Sequence, residues 1–148
     1  MDDLDEQLEL LVVHHVLPEV NSPVPFLRMR SIDLLGALCR ANYPNPSTLP
    51  SVLQAVLPHM TDPELPVAVF SVLSIGSLID REELQEFLRP LVGQIMNILL
   101  KLRADHELEE ASFVMDKLIE SYADELGPVA RPICASLVIK FIFFYFYF

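Results

Sequence analysis

The chain has 148 residues, of which 52% are hydrophobic and 21% are charged. This length and composition are typical of one globular domain and exclude a generally disordered chain. The formal net charge is −11, from 21 Asp and Glu residues against 10 Lys and Arg residues. Such a charge repels phosphate backbones, which argues against nucleic acid as a direct partner. It fits either a solvated acidic surface or a surface that attracts a basic protein or peptide.

The cysteines and the N-terminus bear on the cellular compartment. Cys39 and Cys134 lack CxxC spacing, so we expect free thiols and neither a disulfide framework nor a zinc site. The first six residues, MDDLDE, are acidic where a secretory signal would be basic, and Pro46 prevents glycosylation at Asn45. These features predict a protein of the cytoplasm or nucleus.

Apolar residues occur at helical spacing along the chain, and no sustained alternation predicts a strand. We therefore predict an all-α fold. The first helix should be closed by Pro18, and the fourth should begin with Asp62 as N-cap and Pro63 at the first helical position. The predicted helices span about residues 4–17, 26–39, 47–60, 63–79, 81–101 with a break at Pro90, 107–122, and 127 onward.

Part of the sequence is repeated at an offset of 40 residues. Leu17-Pro18 recurs as Leu57-Pro58. Other matching positions at this offset are Leu27 and Val67, Ser31 and Ser71, Leu35 and Ile75, Gly36 and Gly76, and Leu38 and Leu78. A looser third copy follows, in which Asp105 stands 43 residues after Asp62.

Paired helices repeated every 40 to 47 residues or so are typical of a HEAT or armadillo-type α-solenoid. We predict a HEAT-repeat segment over residues 1–138, with hairpins at about 4–41, 47–80 and 84–124 and a last helix from about 127. The small residues shared by the first two copies, Ser31, Ser71, Gly36 and Gly76, should let neighbouring helices approach closely.

The last eight residues, FIFFYFYF, differ in character from the rest of the chain. The apolar stretch 133–148 has 16 residues and includes Lys140, whereas a membrane-spanning helix needs about 20 largely uncharged residues. It also lacks the polar outer face that a terminal repeat requires. We expect residues 139–148 to be foreign to the fold, for example the translation of an unspliced or frame-shifted segment. A tail anchor and a capping helix are the alternatives.

No sequence motif for catalysis or cofactor binding is present. The chain contains no GxGxxG, GxxxxGK[ST], GxSxG or HExxH. His14 and His15 are adjacent, so on a helix they point about 100° apart and cannot form the i, i+4 pair of a metal site. His59 and His106 are isolated. The sequence predicts no enzymatic activity, no cofactor and no metal.

Four acidic residues, Glu107, Glu109, Glu110 and Asp116, cluster at the front of the predicted helix 107–122. Glu107, Glu110 and Asp116 would complement the positive end of the helix dipole, which explains them as structural residues. Alternatively, they face a basic protein partner.

Four segments resemble the central HEAT repeats of the importin-β superfamily of nuclear transport receptors, and most closely its importin-seven and importin-eight type. They are FLRMRS at 26–31, ELPV at 64–67, FLRPL at 87–91 and ESYADE at 120–125. The resemblance covers about residues 5–138. Because such receptors are much longer, it implies that this chain is a truncated piece of one.

The resemblance also implies function and partners. The complete receptor would carry protein cargo, expected here to be basic, through nuclear pores between cytoplasm and nucleus under control of the GTPase Ran. Phenylalanine-glycine repeats of nucleoporins would dock between outer helices, here between the helix ending near Leu57 and that over 88–100. HEAT units often carry an arginine where Arg28 stands; in the next repeat Ala68 replaces it.

The sequence thus predicts a non-enzymatic piece of a nuclear import receptor that binds proteins through Arg28, Glu107, Glu110 and Asp116. The alternatives are a HEAT scaffold or adaptor unrelated to transport, and a helical protein tethered to a membrane by its tail. Because both ends of the repeat segment lack neighbours, we also expect marginal stability or self-association.

Overall fold

The computed structural model describes residues 2–147; the side chains of residues 2, 136, 137, 140, 141, 143–145 and 147 are not described. The described chain is helical, without strands, which confirms the predicted all-α fold. Its helices are α1 (Asp2–Leu11), α2 (Pro25–Leu38), α3 (Thr48–Val56), α4 (Leu65–Leu78), α5 (Gln85–Leu88), α6 (Val92–His106), α7 (Glu109–Ser121) and α8 (Ala130–Tyr147). They belong to two compact units, Met1–Leu88 and Arg89–Phe148.

The first unit consists of two helical hairpins, α1 with α2 and α3 with α4, followed by α5. Its central contact is the packing of α2 along α4. The apolar residues that this contact buries recur at helical spacing, with Ile32 and Leu35 on α2 and Val72 and Ile75 on α4. Each side chain of this size contributes about 1.5–3 kcal/mol when fully buried.

The repeated Leu-Pro pair shapes the first helix of both hairpins. Proline has no N–H to donate and so cannot continue the α-helical hydrogen bonding. The backbone changes to a 3₁₀ turn at Leu17–Asn21 and again at Leu57–Thr61. The prediction that Pro18 closes the first helix is therefore wrong. Helical structure continues from α1 through a π-helical turn at Val12–Val16 and then through the 3₁₀ turn.

Both 3₁₀ turns end with the same backbone geometry. The residue after each turn is extended, with φ −55° and ψ 140° at Ser22 and φ −59° and ψ 139° at Asp62. Ser22 Oγ accepts a hydrogen bond from the Val24 N–H at 3.3 Å, and Asp62 Oδ1 accepts one from the Glu64 N–H at 3.0 Å. Since α4 begins only at Leu65, Asp62 stabilises the preceding turn and is not the N-cap of the helix, contrary to the prediction.

Gly36 permits the close approach of α2 and α4 that the sequence predicts. A Cβ atom at Gly36 would lie 2.5 Å from Ser74 Oγ and 3.1 Å from Ser74 Cα. The Ser74 hydroxyl occupies this space and donates a buried hydrogen bond to the Ile32 carbonyl oxygen at 2.9 Å. Ser31 and Ser71 donate instead to carbonyls of their own helices, at 2.7 and 2.8 Å.

The second unit contains the α6–α7 hairpin and α8. Near the break predicted at Pro90, the α-helix changes to a 3₁₀ turn at Arg89–Leu91, and helical structure continues into α6. Glu107 joins α6 to α7 in the left-handed conformation, with φ 52°. The buried residues of the two helices are Val92, Ile95, Met96 and Leu99 on α6 and Ala111, Val114, Met115 and Leu118 on α7.

Helix α8 contacts α6 and includes most of the aromatic run. Ile133 near its start is buried, whereas Val138, Ile139, Ile142 and Phe146 are exposed. The expectation that residues 139–148 are foreign to the fold stays a prediction, and its last residue lies outside the described residues. Among the residues that the structure describes, none of the helices combines the length and apolarity that a membrane crossing requires.

We expect Gly36→Ala to lower the free energy of unfolding by about 1–3 kcal/mol, because the new Cβ atom overlaps Ser74 and separates α2 from α4. The measurement is chemical denaturation followed by circular dichroism. Gly93→Ala on α6 is the matched control, since a Cβ atom there meets nothing within 4 Å. The control should leave stability unchanged or raise it by up to about 1 kcal/mol. Equal effects of the two substitutions would contradict the proposed close contact.

Candidate protein-binding sites

Arg28, the first predicted site residue, is held within the fold. Its Nε and Nη2 donate to Asp62 Oδ2 and Oδ1 at 3.1 and 3.0 Å, and its Nη1 donates to the Ser22 carbonyl oxygen at 3.0 Å. The side chains of Arg28 and Asp62 are only 14% and 5% exposed. This two-bond ion pair links the turn before α2 to the turn before α4. A role for Arg28 in binding another protein stays a prediction.

The surroundings of Asp62 keep its carboxylate ionised. Burial raises the pKa of Asp62, but hydrogen bonds from Arg28, the Glu64 N–H and His59 outweigh burial and lower the pKa to about 2. His59 Nδ1 lies 3.1 Å from Asp62 Oδ2. The hydrogen bond to Asp62 in turn raises the pKa of Arg28. The pair is therefore charged at neutral pH.

Arg81, which the sequence analysis did not single out, links the hairpins at the other end of α2. Its Nη1 donates to the carbonyl oxygens of Cys39 and Ala41 at 2.9 and 3.3 Å. A cation at this position satisfies free carbonyls and complements the negative end of the helix dipole. Ala68, at the position equivalent to Arg28, is buried and makes no such link.

One face of α7 is exposed and acidic. Its residues are Glu109, Phe113, Asp116 and Glu120, which follow each other at spacings of four, three and four; we name them the α7 face. Phe113 is 59% exposed. Lys117 Nζ lies 5.2 Å from the centre of the Phe113 ring, a cation–π distance. The α7 face thus presents an aromatic ring among carboxylates, with the Lys117 ammonium beside the ring.

The other predicted acidic residues relate differently to this face. Asp116 belongs to it, whereas Glu110 is half-buried beside it and Glu107 lies exposed in the turn before α7. Residues 109, 113, 116 and 120 fall on one stripe of the helix, so Glu109 shares the face with Asp116. Roles for Glu107, Glu110 and Asp116 in binding another protein stay predictions.

An open groove of about 410 Å³ lies beside α3 in the first unit. It is lined by Pro46, Ser47, Pro50, Ser51, Gln54 and Phe87, and we name it the α3–α5 groove. The α3 side is exposed because the residues that α3 buries lie on its opposite side. Leu84 and Leu88 are fully buried, which leaves Phe87 between them 49% exposed. The sequence predicts nucleoporin docking between the helix ending near Leu57 and the helix over 88–100. The first of these helices forms one wall of the α3–α5 groove, and Phe87, which lies just before the second range, forms the other.

No group of three or more His, Cys, Asp or Glu residues within the described part of the chain could hold a metal ion. The geometry offers surfaces for other macromolecules: an acidic helix face and an apolar groove on helical hairpins. The described chain is an all-α protein whose helical hairpins are consistent with a HEAT-like fragment.

The chain is similar to several curated importin proteins over most of its length. The chain is 30% identical over 135 residues to an importin beta-like SAD2 homolog of Arabidopsis thaliana, covering 91% of the chain and 13% of that protein. It is 28% identical to a probable importin-7 homolog of Dictyostelium discoideum, with the same coverage. Human importin-8 is 30% identical over 127 residues, covering 84% of the chain and 12% of importin-8.

The resemblance to the importin-β family that the sequence indicates is confirmed over most of the chain. It spans about one eighth of the length of these curated relatives. No family model matches the chain, and no solved structure matches it significantly.

We expect Asp62→Ala to lower the free energy of unfolding by about 2 kcal/mol, because it removes charge-assisted hydrogen bonds and leaves Arg28 without its carboxylate. Asp33→Ala is the matched control. It breaks another Arg–Asp pair on α2, in which Arg30 and Asp33 are 59% and 38% exposed, and should cost less than about 0.5 kcal/mol. Denaturant midpoints measure the stability of the two variants. A larger loss of stability in Asp33→Ala than in Asp62→Ala would show that the ion pair between Arg28 and Asp62 is unimportant.

The contribution of Asp62 should also depend on pH. Its folded-state pKa of about 2 lies below the ordinary value of 3.8, so its stabilisation is complete above about pH 4 and is lost as pH falls toward 2. The difference in unfolding free energy between the wild type and Asp62→Asn should therefore be constant above pH 4 and shrink below it. A difference that persists unchanged at pH 2 would contradict this assignment.

Proposed function

We propose that the chain is the part of a nuclear import receptor that binds basic protein cargo through the α7 face. The observation that carries the proposal is the exposed Phe113 ring on one helix stripe with Glu109, Asp116 and Glu120. Carboxylates attract and orient lysine and arginine side chains, whereas an exposed aromatic ring supplies contact area that excludes water. A partner that fits both is a basic segment with an apolar side chain among its lysines.

The charge of the whole chain supports this choice of cargo. With a net charge of −11, the protein should attract basic segments from a distance, and the α7 face would then fix them in place. In the complete receptor, Ran-GTP would release the cargo in the nucleus. This step follows from the resemblance to the importin-β family and involves parts of the receptor beyond this chain.

A second contact, with nucleoporins, is favoured by the α3–α5 groove. A phenylalanine-glycine repeat needs a small apolar recess for one ring, and the groove offers Pro46, Pro50 and Phe87 around an open space of about 410 Å³. An incoming ring could pack on Phe87 in an offset or edge-to-face arrangement, worth about 0.5–1.5 kcal/mol beyond the area buried. Ser47 and Gln54 at the rim could bond the flanking backbone.

Neutralising the α7 face should weaken the binding of a fluorescent lysine-rich peptide at least about tenfold, measured by anisotropy. The variant carries Glu109→Gln, Asp116→Asn and Glu120→Gln. Binding of the wild type should also weaken as salt rises, and the variant should lose most of that salt dependence.

The matched control for this experiment carries Glu19→Gln, Glu64→Gln and Glu82→Gln, three exposed acids of the first unit. It changes the net charge by the same amount. If both variants lose affinity equally, the overall charge attracts the peptide and the α7 face is not the site. Phe113→Ala tests the apolar part and should weaken peptides that contain an aliphatic residue more than those with lysine and glycine alone.

Phe87→Ala should reduce the retention of the chain on immobilised phenylalanine-glycine repeat peptide, because it removes one wall of the α3–α5 groove. Phe113→Ala is the control, since Phe113 is similarly exposed but lies on the α7 face. A HEAT scaffold unrelated to transport would bind its protein partner without retaining the repeat peptide. Equal loss in both variants would indicate nonspecific aromatic adsorption.

A further inference from the structure

Lys117 is the only basic residue in the acidic stretch that includes the α7 face. Residues 107–125 contain seven acidic residues and this one base. The Lys117 side chain is half-buried, and its Nζ lies 5.2 Å from the centre of the Phe113 ring. Because Lys117 follows Phe113 by four residues, the two side chains are neighbours on the helix surface. The aromatic ring of the α7 face therefore already carries a cation of its own chain.

A cation beside an aromatic ring changes what else the ring can bind. The ring attracts an ammonium group through its quadrupole, and Lys117 already occupies that interaction. A second ammonium brought to the same ring would meet the like charge of Lys117 at short distance. An aliphatic side chain carries no charge and can pack on the accessible part of Phe113, which is 59% exposed. With Lys117 in place, the ring thus favours an apolar side chain over a cation.

The carboxylates of the α7 face remain available for the cations of a partner. Glu109 precedes Phe113 by four residues, whereas Asp116 and Glu120 follow it by three and seven. Acidic groups therefore lie on both sides of the ring along the stripe. A bound segment can place its lysines on these acids and its apolar side chain on the ring between them.

We propose that Lys117 is a specificity-determining residue of this site. It keeps the cations of the cargo off the Phe113 ring, and thereby selects basic segments with an aliphatic side chain between their lysines over segments that are only basic. The inference rests on the proposed binding of cargo to the α7 face. It adds a residue outside that face which acts through Phe113 and touches the partner's cations only by repulsion.

The test compares two fluorescent peptides of equal charge, one of lysine and glycine and one in which a central glycine is replaced by leucine. The ratio of their dissociation constants measures selectivity and cancels effects of overall charge. The wild type should bind the leucine peptide more tightly. Lys117→Gln should lower this selectivity about two- to fivefold, because the lysine–glycine peptide gains the cation–π contact that Lys117 occupied.

Lys101→Gln is the matched control, since Lys101 is exposed on α6 in the same unit and its loss changes the net charge equally. It should strengthen the binding of both peptides alike and leave selectivity at the wild-type value. Lys117→Arg keeps a cation beside the ring and should retain wild-type selectivity. In a Phe113→Ala background, adding Lys117→Gln should leave selectivity unchanged, because the ring through which Lys117 acts is gone.

A second measurement uses the wild-type chain and does not depend on how a substitution folds. In proton NMR spectra, the ring current of Phe113 should shift the signals of the Lys117 methylene group next to Nζ upfield, and Phe113→Ala should abolish this shift. The signals should stay upfield when either peptide is bound. Their return to the ordinary position in a complex, or their absence from the upfield region in the free wild type, would overturn the proposal.

Unchanged selectivity in Lys117→Gln, or the same loss of selectivity in Lys101→Gln, would also overturn the proposal. Failure of the proposed cargo site gives a different result. The variant with Glu109, Asp116 and Glu120 neutralised would then bind the peptides as well as its own charge-matched control does. If that variant loses binding while Lys117→Gln behaves as Lys101→Gln does, the cargo site stands and only the role of Lys117 is wrong.

Discussion

The packing of α2 on α4 is the contact on which the first unit depends. A single hairpin of this size cannot bury its own apolar faces, so Ile32 and Leu35 reach full burial only through the neighbouring repeat. The absence of a side chain at Gly36 sets how closely the helices approach, and the Ser74 hydroxyl fills the space with a hydrogen bond to Ile32. Apolar burial supplies the free energy of this contact, whereas the glycine and serine fix its register.

Polar links at both ends of α2 hold the same register. Arg28 binds Asp62 beside the start of α4, and Arg81 binds the carbonyl oxygens of Cys39 and Ala41 at the end of α2. A shift of one helix along the other by a single turn, about 5.4 Å, would break both links. Since buried charges are costly without partners, the two arginines disfavour alternative stackings more than they add to stability.

Local patterns predicted much of this structure, and contacts between distant residues limited the rest. Helical periodicity predicted the all-α fold, and the offset of 40 residues predicted the close contact at Gly36. The helix end expected at Pro18 was wrong because a 3₁₀ turn tolerates the missing N–H, and Asp62 serves a turn and the distant Arg28 where an N-cap was expected. The partners of Arg28 and Arg81 lie 34 and 42 residues away, so periodicity could not identify them. On α7, the helical period places Glu109 on the exposed stripe and Glu110 beside it. The exposure of Phe113 and Phe87 depends on how neighbouring helices pack, so the sequence alone could not predict it.

Ion pairing explains why the remaining surfaces are acidic or apolar. Arg28, Arg30, Arg81 and Arg89 each pair with a carboxylate of their own unit, at N–O distances of 2.6 to 3.0 Å. Such pairs cancel positive charge locally, so much of the small basic content of the chain contributes little to the field felt by an approaching partner. The net charge of −11 is then expressed mainly by carboxylates outside these pairs, among them Glu109, Asp116 and Glu120. The same distribution of ion pairs that links the hairpins thereby leaves a negative surface for basic partners.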